Sequence, residues 1–313
     1  MEIQVIINIM AELFIMIVIG YLLFKVGVFD KNFNQKLTKL ILHVTMPALI
    51  ISSVLSVTST PAAGTVKTTF IASVIIYLIM PFVGIIVAKL IKVDLKKQGL
   101  YGFMMTYSNV GFMGFPVISA LYGATGVFYT AIINIIFNVT AFTIGVLILK
   151  YGGGSKSGIS FGKLFSPGML FSAAAVLIYM FNVDLPYIVD KTINSIGSTT
   201  TPLAMLLMGS TLATIPLTHV FNEGKVYVFC FIKQIIIPII LYPTIRFFIK
   251  DTMLFEVIIV LMMMPIATNA IMFAIEHGND EKLAAKSVFI STVMSIFTVP
   301  FILYLFQEVF KFI

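Results

Sequence analysis

Apolar residues run along this chain in long, nearly uninterrupted stretches, and short polar segments separate them. A helix that crosses a lipid bilayer needs roughly 20 consecutive, mostly apolar residues. Ten stretches come close enough to that requirement to predict spanning helices. They cover residues 5–24, 38–56, 68–90, 99–122, 125–149, 168–182, 192–214, 225–248, 254–276 and 284–308. The pattern therefore predicts an all-α integral membrane protein with ten transmembrane helices and no separate soluble domain.

The composition indicates a protein that has lipid as its solvent. Of the 313 residues, 59% are hydrophobic and 11% are charged, and the mean hydropathy is +1.08. Soluble domains contain about 45–50% apolar and about 25% charged residues. Too few polar side chains remain here to cover a water-facing surface. The composition excludes an ordinary cytosolic enzyme, a disordered protein and a nucleic-acid-binding protein, and it makes the lipid bilayer the first predicted partner.

The net charge of +7 is distributed unevenly between the predicted loops. With the N-terminus outside, fourteen Lys and Arg residues fall in cytoplasmic loops and five fall in outside segments. Because basic residues mark cytoplasmic loops, this bias predicts both termini on the outside. The first apolar stretch lacks the charged n-region and the cleavage site of a signal peptide, so we interpret it as a retained spanning helix.

A segment rich in Gly and Ser separates the first five predicted spans from the last five. We predict a first repeat at 1–150, a flexible cytoplasmic linker at 151–167 and a second repeat at 168–313. An odd number of spans in each repeat places the repeats in opposite orientations, as in inverted-repeat transporters. The similarity of HVTMPALIISSVL (43–55) to STTTPLAMLLMGSTL (198–212) supports this division.

The fourth predicted span contains the segment TYSNVGFMGFPV, at 106–117. Pro116 has no backbone N–H, and its ring clashes with the carbonyl group four residues earlier. Gly111 and Gly114 each disfavour a helix by about 1 kcal/mol relative to Ala. We therefore predict an interruption of this span between about 110 and 116. In hydrocarbon, such a break is tolerated where it is buried in protein or lines a water-filled cavity.

The ninth predicted span contains MMMPIATNAIMF, at 262–273, in which Asn269 follows Pro265 by one turn. The fourth and ninth spans hold equivalent places in the two repeats. In inverted repeats the two breaks can cross near the middle of the bilayer, where the N-termini of the half-helices favour a carboxylate. Asn109 and Asn269 would then supply amide donors beside it.

The two breaks need not be identical, and a simpler interpretation stays open. Pro116 and Pro265 are 149 residues apart, whereas two other proline pairs in matching spans are 155 and 157 residues apart. The simpler interpretation is that these prolines make ordinary kinks, which neighbouring helices satisfy.

Three further polar residues inside predicted spans are candidates for coupling, charge balance or substrate contact. Glu12 lies near the centre of the first span, where a carboxylate is costly enough to suggest a function. It could carry a coupling proton, or it could pair with Lys233 or an asparagine. Lys233, in the eighth span, could balance an anionic substrate, pair structurally or extend its ammonium group to the cytoplasmic surface. Asn138 shares a helical face with Asn134, and this pair could form a helix–helix hydrogen bond or line the substrate path.

We predict no metal, no cofactor and no catalytic residue. His43, His219 and His277 are scattered, and no carboxylate or Cys cluster accompanies them at metal-ligand spacing. The linker does not match a nucleotide-binding loop, since Ser155 stands before Lys156 where that motif requires Gly. No Ser–His–Asp order and no pair of intramembrane acids suggests hydrolysis.

The motif NVGFMGFP, at 109–116, resembles the fourth-helix signature of the auxin efflux carrier family. That family includes plant PIN-type carriers and bacterial malate and malonate permeases. The segments at 20–50 and 200–213 resemble its second and seventh helices, so the resemblance covers nearly the whole chain. It implies a fold similar to the sodium–bile acid symporters, with a scaffold of spans 1, 2, 6 and 7 and a mobile domain of spans 3–5 and 8–10. It also implies an elevator-like motion and a homodimer.

The resemblance further implies crossover asparagines at Asn109 and Asn269 and a location in the cell membrane, which in a bacterium is the inner membrane. The long hydrophilic central loop of the plant carriers is absent from this chain. Its absence weighs against plant-style regulation and against auxin as the substrate.

The leading hypothesis is secondary active or facilitative transport of small organic anions, such as malate, malonate or auxin-like acids, by elevator-type alternating access. The candidate substrate-site residues are Asn109, Gly111, Gly114, Pro116, Asn138, Pro265 and Asn269. The alternative is a sodium-coupled symporter of the bile acid type. A membrane-embedded enzyme that acts on lipid and a passive channel are further hypotheses. Proton coupling, voltage-driven uniport and exchange stay open.

Overall fold

A computed structural model describes residues 3–56, 63–153, 167–181, 183, 185–215 and 223–306. Within these ranges the chain is helical, and its β-type contact is an isolated bridge between Ser108 and Ile266. Most of the predicted linker, 154–166, lies outside the described residues. The division of the chain into repeats at 1–150 and 168–313 stays a prediction.

Among the described residues, two of the helices follow each other almost directly. In chain order they are α1 (Ile3–Lys25), α2 (Lys31–Leu55), α3 (Ala63–Leu90), α4 (Leu95–Thr106), α5 (Val110–Leu149), α6 (Pro167–Met180), α7 (Tyr187–Ser198), α8 (Thr200–Ala213), α9 (Gly224–Phe248), α10 (Thr252–Met263), α11 (Asn269–Glu276) and α12 (Glu281–Tyr304). Thr199 alone separates α7 from α8, so together they take the place of the predicted seventh span.

Six of these helices, α1, α2, α3, α5, α9 and α12, are long and apolar enough to cross a membrane. They confirm the prediction of an all-helical, multi-pass membrane protein. α6 and α10 are apolar but shorter. The arrangement of ten spans as two inverted repeats stays a prediction.

Aspartate side chains cap the N-termini of three of the helices. A carboxylate of Asp30 accepts a hydrogen bond from the Phe33 N–H at the start of α2, at 2.6 Å. Asp251 and Asp280 do the same at the starts of α10 and α12, at 2.8 Å and 2.9 Å. Such caps satisfy an N–H group that has no partner within the helix. They fix the ends of α10 and α12 close to the predicted span boundaries.

Prolines account for three widened, π-helical turns inside the long helices. Each of these turns ends two residues before a proline, and the pairs are Ile41–Thr45 with Pro47, Val110–Gly114 with Pro116, and Ile232–Ile236 with Pro238. Proline lacks an N–H and clashes with the carbonyl group four residues earlier. A widened turn before it lets the helix continue in spite of that clash. Such turns are frequent at functional sites, and two of these three border the site described below.

α5 bends at Gly123, whose φ of 60° is outside the helical region. Glycine adopts this left-handed conformation without the strain that a Cβ atom would cause. The bend lies between the predicted fourth span, 99–122, and the predicted fifth span, 125–149. The boundary predicted there from hydropathy therefore corresponds to a change in the direction of the chain.

α1 and α8 pack backbone against backbone. A Cβ atom added to Gly20 would overlap the carbonyl group of Leu206, and one added to Gly209 would overlap the carbonyl group of Ile17. Small residues allow this close approach between helices in lipid. The contact fixes the rotation of α1 about its own axis, with Met10 and Ile17 buried and the opposite face exposed.

Packing contacts group the helices into two sets. In the first set, α1 packs on α8, and α2 packs on α6 and α7. In the second set, α3 packs on α4 and α5, while α9 packs on α10 and α12. The sets meet where α5 contacts α1, α2, α6 and α8, and where α1 contacts α12.

Candidate functional site

The two interruptions of the helices meet and pair with each other. One is the gap between α4 and α5 at 107–109, and the other is the gap between α10 and α11 at 264–268. The N–H of Asn109 donates to the carbonyl of Pro265 at 2.7 Å, and the N–H of Ala267 donates to the carbonyl of Tyr107 at 3.0 Å. These bonds make a short antiparallel bridge. Because each segment satisfies the other's backbone groups, both can leave the helical conformation inside a membrane.

The first interruption lies a few residues before its predicted position. The sequence predicted a break between about 110 and 116, but 110–114 is a π-helical turn, and Pro116 lies in the first α-helical turn after it. That π-helical turn lets the helix continue past Pro116 in spite of its missing N–H and the clash of its ring with the carbonyl of Phe112. Gly114 also serves packing, since a Cβ atom there would come within 2.9 Å of the Leu261 side chain.

Asn109 caps the start of α5 and keeps one donor free. Its side-chain oxygen accepts a hydrogen bond from the Phe112 N–H at 3.1 Å, and its carbonyl accepts one from the Gly114 N–H at 2.8 Å. The side chain is 3% exposed, and its amide nitrogen has no hydrogen-bond partner among the described residues. Most buried polar atoms in proteins are paired. The amide group is therefore a buried donor that is available to a ligand.

A cavity of about 200 Å³ lies at the crossing of the two interruptions. Its lining combines hydroxyl and amide side chains with large apolar side chains, which we call the apolar wall. The polar residues are Ser108, Asn109, Asn134, Asn138, Thr268 and Asn269, and the apolar wall includes Leu42, Met46, Phe112, Phe137, Phe142 and Met272. The cavity therefore offers both hydrogen bonds and hydrocarbon contact.

Two helices begin at this cavity. α5 starts at Val110 beside Asn109, and α11 starts at Asn269, which is exposed. The first N–H groups of a helix have no partner within it, and the helix dipole makes this end positive. Two such ends around one cavity favour a negatively charged group.

Lys233 lies behind the crossing and does not reach the membrane surface. Its side chain is 1% exposed, and Nζ donates to Ser108 Oγ at 2.7 Å. Nζ also donates to the carbonyls of Met264 at 2.9 Å and Met262 at 3.3 Å. The prediction of an ammonium group that extends to the cytoplasmic surface is wrong, because these oxygens hold it inside the protein. The structural pairing is present, and a positive charge at the C-terminal end of α10 complements the helix dipole there.

Sequence reasoning missed Ser108, which connects Lys233 to the cavity. Its hydroxyl oxygen accepts the hydrogen bond from Lys233, and the residue lines the cavity beside Asn109. The only local signal was its position directly before Asn109. The contact joins residues from distant parts of the chain, so no pattern within one helix could reveal it.

Asn134 forms the helix–helix hydrogen bond that was one of the two alternatives for this pair, and the place of Asn138 on a substrate path stays a prediction. The amide nitrogen of Asn134 donates to the Gly168 carbonyl at 3.3 Å and to Ser172 Oγ at 3.2 Å, which joins α5 to α6. The amide nitrogen of Asn138 donates to the carbonyl of Asn134 at 2.7 Å. Both residues also line the cavity.

The other predicted site residues fall into two groups. Gly111 lines the cavity, whereas Gly114, Pro116 and Pro265 shape the chain around it and are not among its lining residues. Glu12 lies on an exposed face of α1, away from the cavity. Its predicted pairing with Lys233 is wrong, because Lys233 bonds to Ser108 and to the end of α10.

Among the described residues, no group of three or more His, Cys, Asp or Glu side chains is placed to hold a metal ion. His219 lies outside those residues.

An ion pair outside the predicted spans joins α4 to the loop after α11. Lys97 Nζ lies 2.9 Å from a carboxylate oxygen of Asp280, and both side chains are partly exposed. The hydrogen bond to Asp280 raises the pKa of Lys97 above its ordinary value. Burial raises the pKa of Asp280, but the hydrogen bonds from Lys97 and from the Leu283 N–H outweigh it and hold that pKa below its ordinary value. The pair therefore connects α4, which precedes the first interruption, to the loop that follows α11, after the second interruption.

Comparison with known proteins places the chain among membrane transporters. The profile of a family described as "Membrane transport protein" matches residues 5–160 and 162–303. A protein of Rhizobium meliloti named "Putative malonate transporter" is 25% identical over 282 residues, which cover 87% of this chain and 87% of that protein. An uncharacterized transporter of Methanothermobacter thermautotrophicus is 24% identical over 299 residues, 91% of this chain and 93% of that protein. An uncharacterized transporter of Escherichia coli is 24% identical over 237 residues, 72% of this chain and 74% of that protein.

Interrupted helices that meet beside a polar cavity are typical of secondary transporters, and the class that fits both the fold and the comparisons is a membrane transporter. The family profile matches nearly the whole chain. The chain belongs to this membrane transport protein family, the auxin efflux carrier family that its sequence resembles.

Proposed function

We propose that the protein moves small organic anions that carry a carboxylate group across the membrane, as a secondary active or facilitative transporter. The observation that carries this proposal is the amide nitrogen of Asn109, which is buried at the cavity without a partner among the described residues. A buried donor without a partner costs about 1–3 kcal/mol. A carboxylate oxygen in the cavity would accept its hydrogen bond.

The chemistry of the cavity favours an anion over a cation. The described residues that line it include hydroxyl and amide side chains but no Asp or Glu. The positive ends of α5 and α11 lie at the cavity. The ammonium group of Lys233 donates a hydrogen bond to Ser108, whose residue lines the cavity. A carboxylate would therefore meet donors and partial positive charge together.

The size and the apolar wall support a small organic acid rather than an inorganic anion. The cavity of about 200 Å³ has room for a few carbon atoms beside the carboxylate. Phe112, Phe137 and Phe142 would contact the hydrocarbon part. Since one relative is named for malonate transport, malonate is the first compound to test, followed by malate and auxin-like acids.

We further propose elevator-type alternating access, in which α3–α5 and α9–α12 move against α1, α2 and α6–α8. The two sets of packed helices support this assignment, because each set is held mainly by contacts within itself. The hydrogen bonds from Asn134 to Gly168 and Ser172 join the sets beside the cavity. They would have to exchange partners during the motion. A homodimer, both termini outside and a location in the cell membrane complete the proposal, on the family resemblance and the distribution of basic residues.

Sodium-coupled symport, the alternative, has less support from the geometry. Hard cations bind where several oxygen ligands converge. Beside the crossing, the oxygens of Ser108, Met262 and Met264 converge on the ammonium group of Lys233. Lys233 Nζ already occupies these oxygens, so they are not available to a dissociable cation. We therefore expect transport that is independent of sodium, with a proton gradient, voltage or exchange as the driving force.

The test is flux into proteoliposomes that contain the purified full-length protein. Malonate, malate and an auxin-like acid are offered under separately imposed proton, sodium and voltage gradients. We expect saturable, sodium-independent flux of at least one acid, and we expect Asn109→Ala to lower it about 100-fold, since a hydrogen bond to a charged group is worth about 1.5–3 kcal/mol. Asn194→Ala, which removes an exposed asparagine on α7, is the matched control and should transport normally.

Four outcomes would contradict the proposal or part of it. Full activity of Asn109→Ala would remove Asn109 from the site. Strict dependence on sodium would favour the symporter. Currents far above carrier rates without exchange would indicate a channel, and turnover of lipid by the purified protein would indicate an enzyme.

A further inference from the structure

The N–H of Ile266 is a backbone donor of the second interruption that points away from the first one. In the bridge, the hydrogen bonds run between the residues on either side of Ser108 and Ile266, so these two form a non-hydrogen-bonded antiparallel pair. The backbone groups of such a pair point away from each other. Ile266 is fully buried, and its N–H therefore needs a partner inside the protein.

Ser291, on α12, supplies that partner. Its Oγ accepts a hydrogen bond from the Ile266 N–H at 3.1 Å and donates one to the Val288 carbonyl at 3.1 Å. The second bond uses the hydroxyl hydrogen and leaves a lone pair for Ile266. Ser291 is 0% exposed and is not among the residues that line the cavity. It therefore contacts the second interruption from the side away from the cavity.

The widened turn of α9 holds Ser291 in place. The amide nitrogen of Gln234 donates to the Ser291 carbonyl at 2.7 Å, and its side-chain oxygen accepts a hydrogen bond from Thr298 Oγ1 at 3.2 Å. Gln234 follows Lys233 directly in the π-helical turn Ile232–Ile236. Neighbouring residues of a helix point in different directions. One turn therefore holds the end of α10 through Lys233 and α12 through Gln234.

We propose that Ser291, held by Gln234, is a positioning residue for substrate binding, because its bond to the Ile266 N–H fixes the segment that leads into α11. This inference rests on the proposed function. Residues 267–269 follow Ile266 directly and line the cavity. A shift of Ile266 would move the side chain of Asn269 and the positive end of α11 away from a bound carboxylate.

The test compares two serines of α12 that are equally buried but differently bonded. Ser295 is 0% exposed, and its hydroxyl donates within α12, to the Thr292 carbonyl at 2.7 Å. We expect Ser291→Ala to raise the KM of proteoliposome flux about tenfold, because a buried N–H loses its acceptor. The maximal rate should change less than twofold. Ser295→Ala, the matched control, should change neither, and Ser291→Thr, which keeps the hydroxyl group, should hold the KM within about threefold.

Two further variants test whether Ser291 acts through the start of α11. In an Asn269→Ala background, Ser291→Ala should raise the KM less than about threefold, because both changes affect the same contact with the substrate. Gln234→Met leaves the Ser291 hydroxyl in place and removes its support, so we expect a rise in KM of about threefold.

Amide hydrogen exchange tests the contact without transport. Mass spectrometry of peptides that cover 262–270 should show exchange of the Ile266 amide at least tenfold faster in Ser291→Ala. Ser291→Thr and Ser295→Ala should leave this exchange rate unchanged.

Two outcomes would overturn the proposal. One is an unchanged exchange rate in Ser291→Ala, and the other is a KM that Ser291→Ala does not raise above that of Ser295→Ala. If the unaltered protein moved no acid at all, the proposed function would fail instead, and the exchange rates would still decide whether Ser291 holds the segment.

Discussion

In the gap between α4 and α5, three residues leave the helix, and Asn109 from the same segment caps the start of α5. In the gap between α10 and α11, five residues leave the helix, Pro265 lies inside the gap, and the end of α10 is held by Lys233 from α9. The first interruption therefore carries its own cap, whereas the second depends on a distant charge. The two interruptions meet at one crossing, but different interactions stabilise each of them.

This difference separates two roles that a symmetric pair would share. The first interruption presents a free donor to the cavity, because its cap uses only one end of the Asn109 side chain. The second supplies carbonyl oxygens to Lys233 and so fixes a positive charge behind the cavity. We interpret the first as the part that contacts the substrate and the second as the part that holds the charge in place.

The largest expected effect is that of Lys233→Met, which removes the support of the second interruption. Ser108 and the carbonyls of Met262 and Met264 lose their donor inside the protein, so we expect a loss of about 3 kcal/mol in stability and at least a 100-fold loss of flux. Thermal unfolding in detergent and proteoliposome flux measure the two effects. Lys36→Met, at an exposed position on α2, is the control and should change neither. Normal stability and flux in Lys233→Met would refute the supporting role.

The next effect compares the two asparagines. Asn109→Ala should lower flux about 100-fold, whereas Asn269→Ala should lower it about tenfold, because Asn109 is buried and caps a helix while Asn269 is exposed. Initial rates at saturating and at low substrate, together with folded yield, distinguish binding from damage. Equal losses in the two variants would mean that the two interruptions contribute alike.

Gly111 and Gly114, in the π-helical turn that follows the first interruption, provide a closely matched pair of substitutions with a smaller expected effect. A Cβ atom at Gly114 would come within 2.9 Å of Leu261, whereas one at Gly111 would find its nearest neighbour, Met46, at 3.9 Å. We expect Gly114→Ala to destabilise the protein by about 1 kcal/mol because of the crowding. Gly111→Ala should be neutral or slightly stabilising, since Ala favours a helix. Thermal unfolding of both variants checks the difference, and a reversed order would contradict the packing described for Gly114.

The smallest expected effect concerns the ion pair that joins the two interrupted helices. The lowered pKa of Asp280 means that its stabilising contribution is present above the ordinary value of 3.8 and is lost as the pH falls through the lower value in the folded protein. Because Lys97 and Asp280 are 42% and 32% exposed, the contribution should stay below about 1 kcal/mol. Unfolding of the unaltered protein and of Asp280→Asn, compared at neutral pH and at pH values below 3.8, measures it. The assignment would be contradicted if the difference in free energy of unfolding between the two proteins did not decrease on acidification.

The sequence predicted the features that depend on local chemistry. Long apolar stretches predicted the membrane helices, and prolines with nearby glycines or an asparagine predicted which two helices are interrupted. The spacing of Pro116 and Pro265 left open whether the two breaks are identical, and the structure shows that they differ. The exact position of the first break was wrong because the π-helical turn absorbs Gly111, Gly114 and Pro116 without leaving the helix.

Contacts between distant helices could not be predicted from the sequence. Lys233 looked equally suited to the surface and to the interior, and the choice depends on Ser108 and on carbonyls of α10. The face of α1 on which Glu12 lies is likewise decided by the glycine contacts with α8. Neither the hydrogen bonds of Lys233 nor the contact between α1 and α8 leaves a pattern within a short stretch of sequence.

The bridge between residues 107–109 and 265–267 also constrains the synthesis of the protein. Asn109 leaves the ribosome long before Pro265, the residue that accepts its backbone hydrogen bond. At 5–20 residues per second, the delay is roughly 8 to 30 s. Throughout that interval the newly inserted segment carries unsatisfied backbone groups, so the insertion machinery or a water-filled pore must shield it from lipid until the second half of the chain arrives.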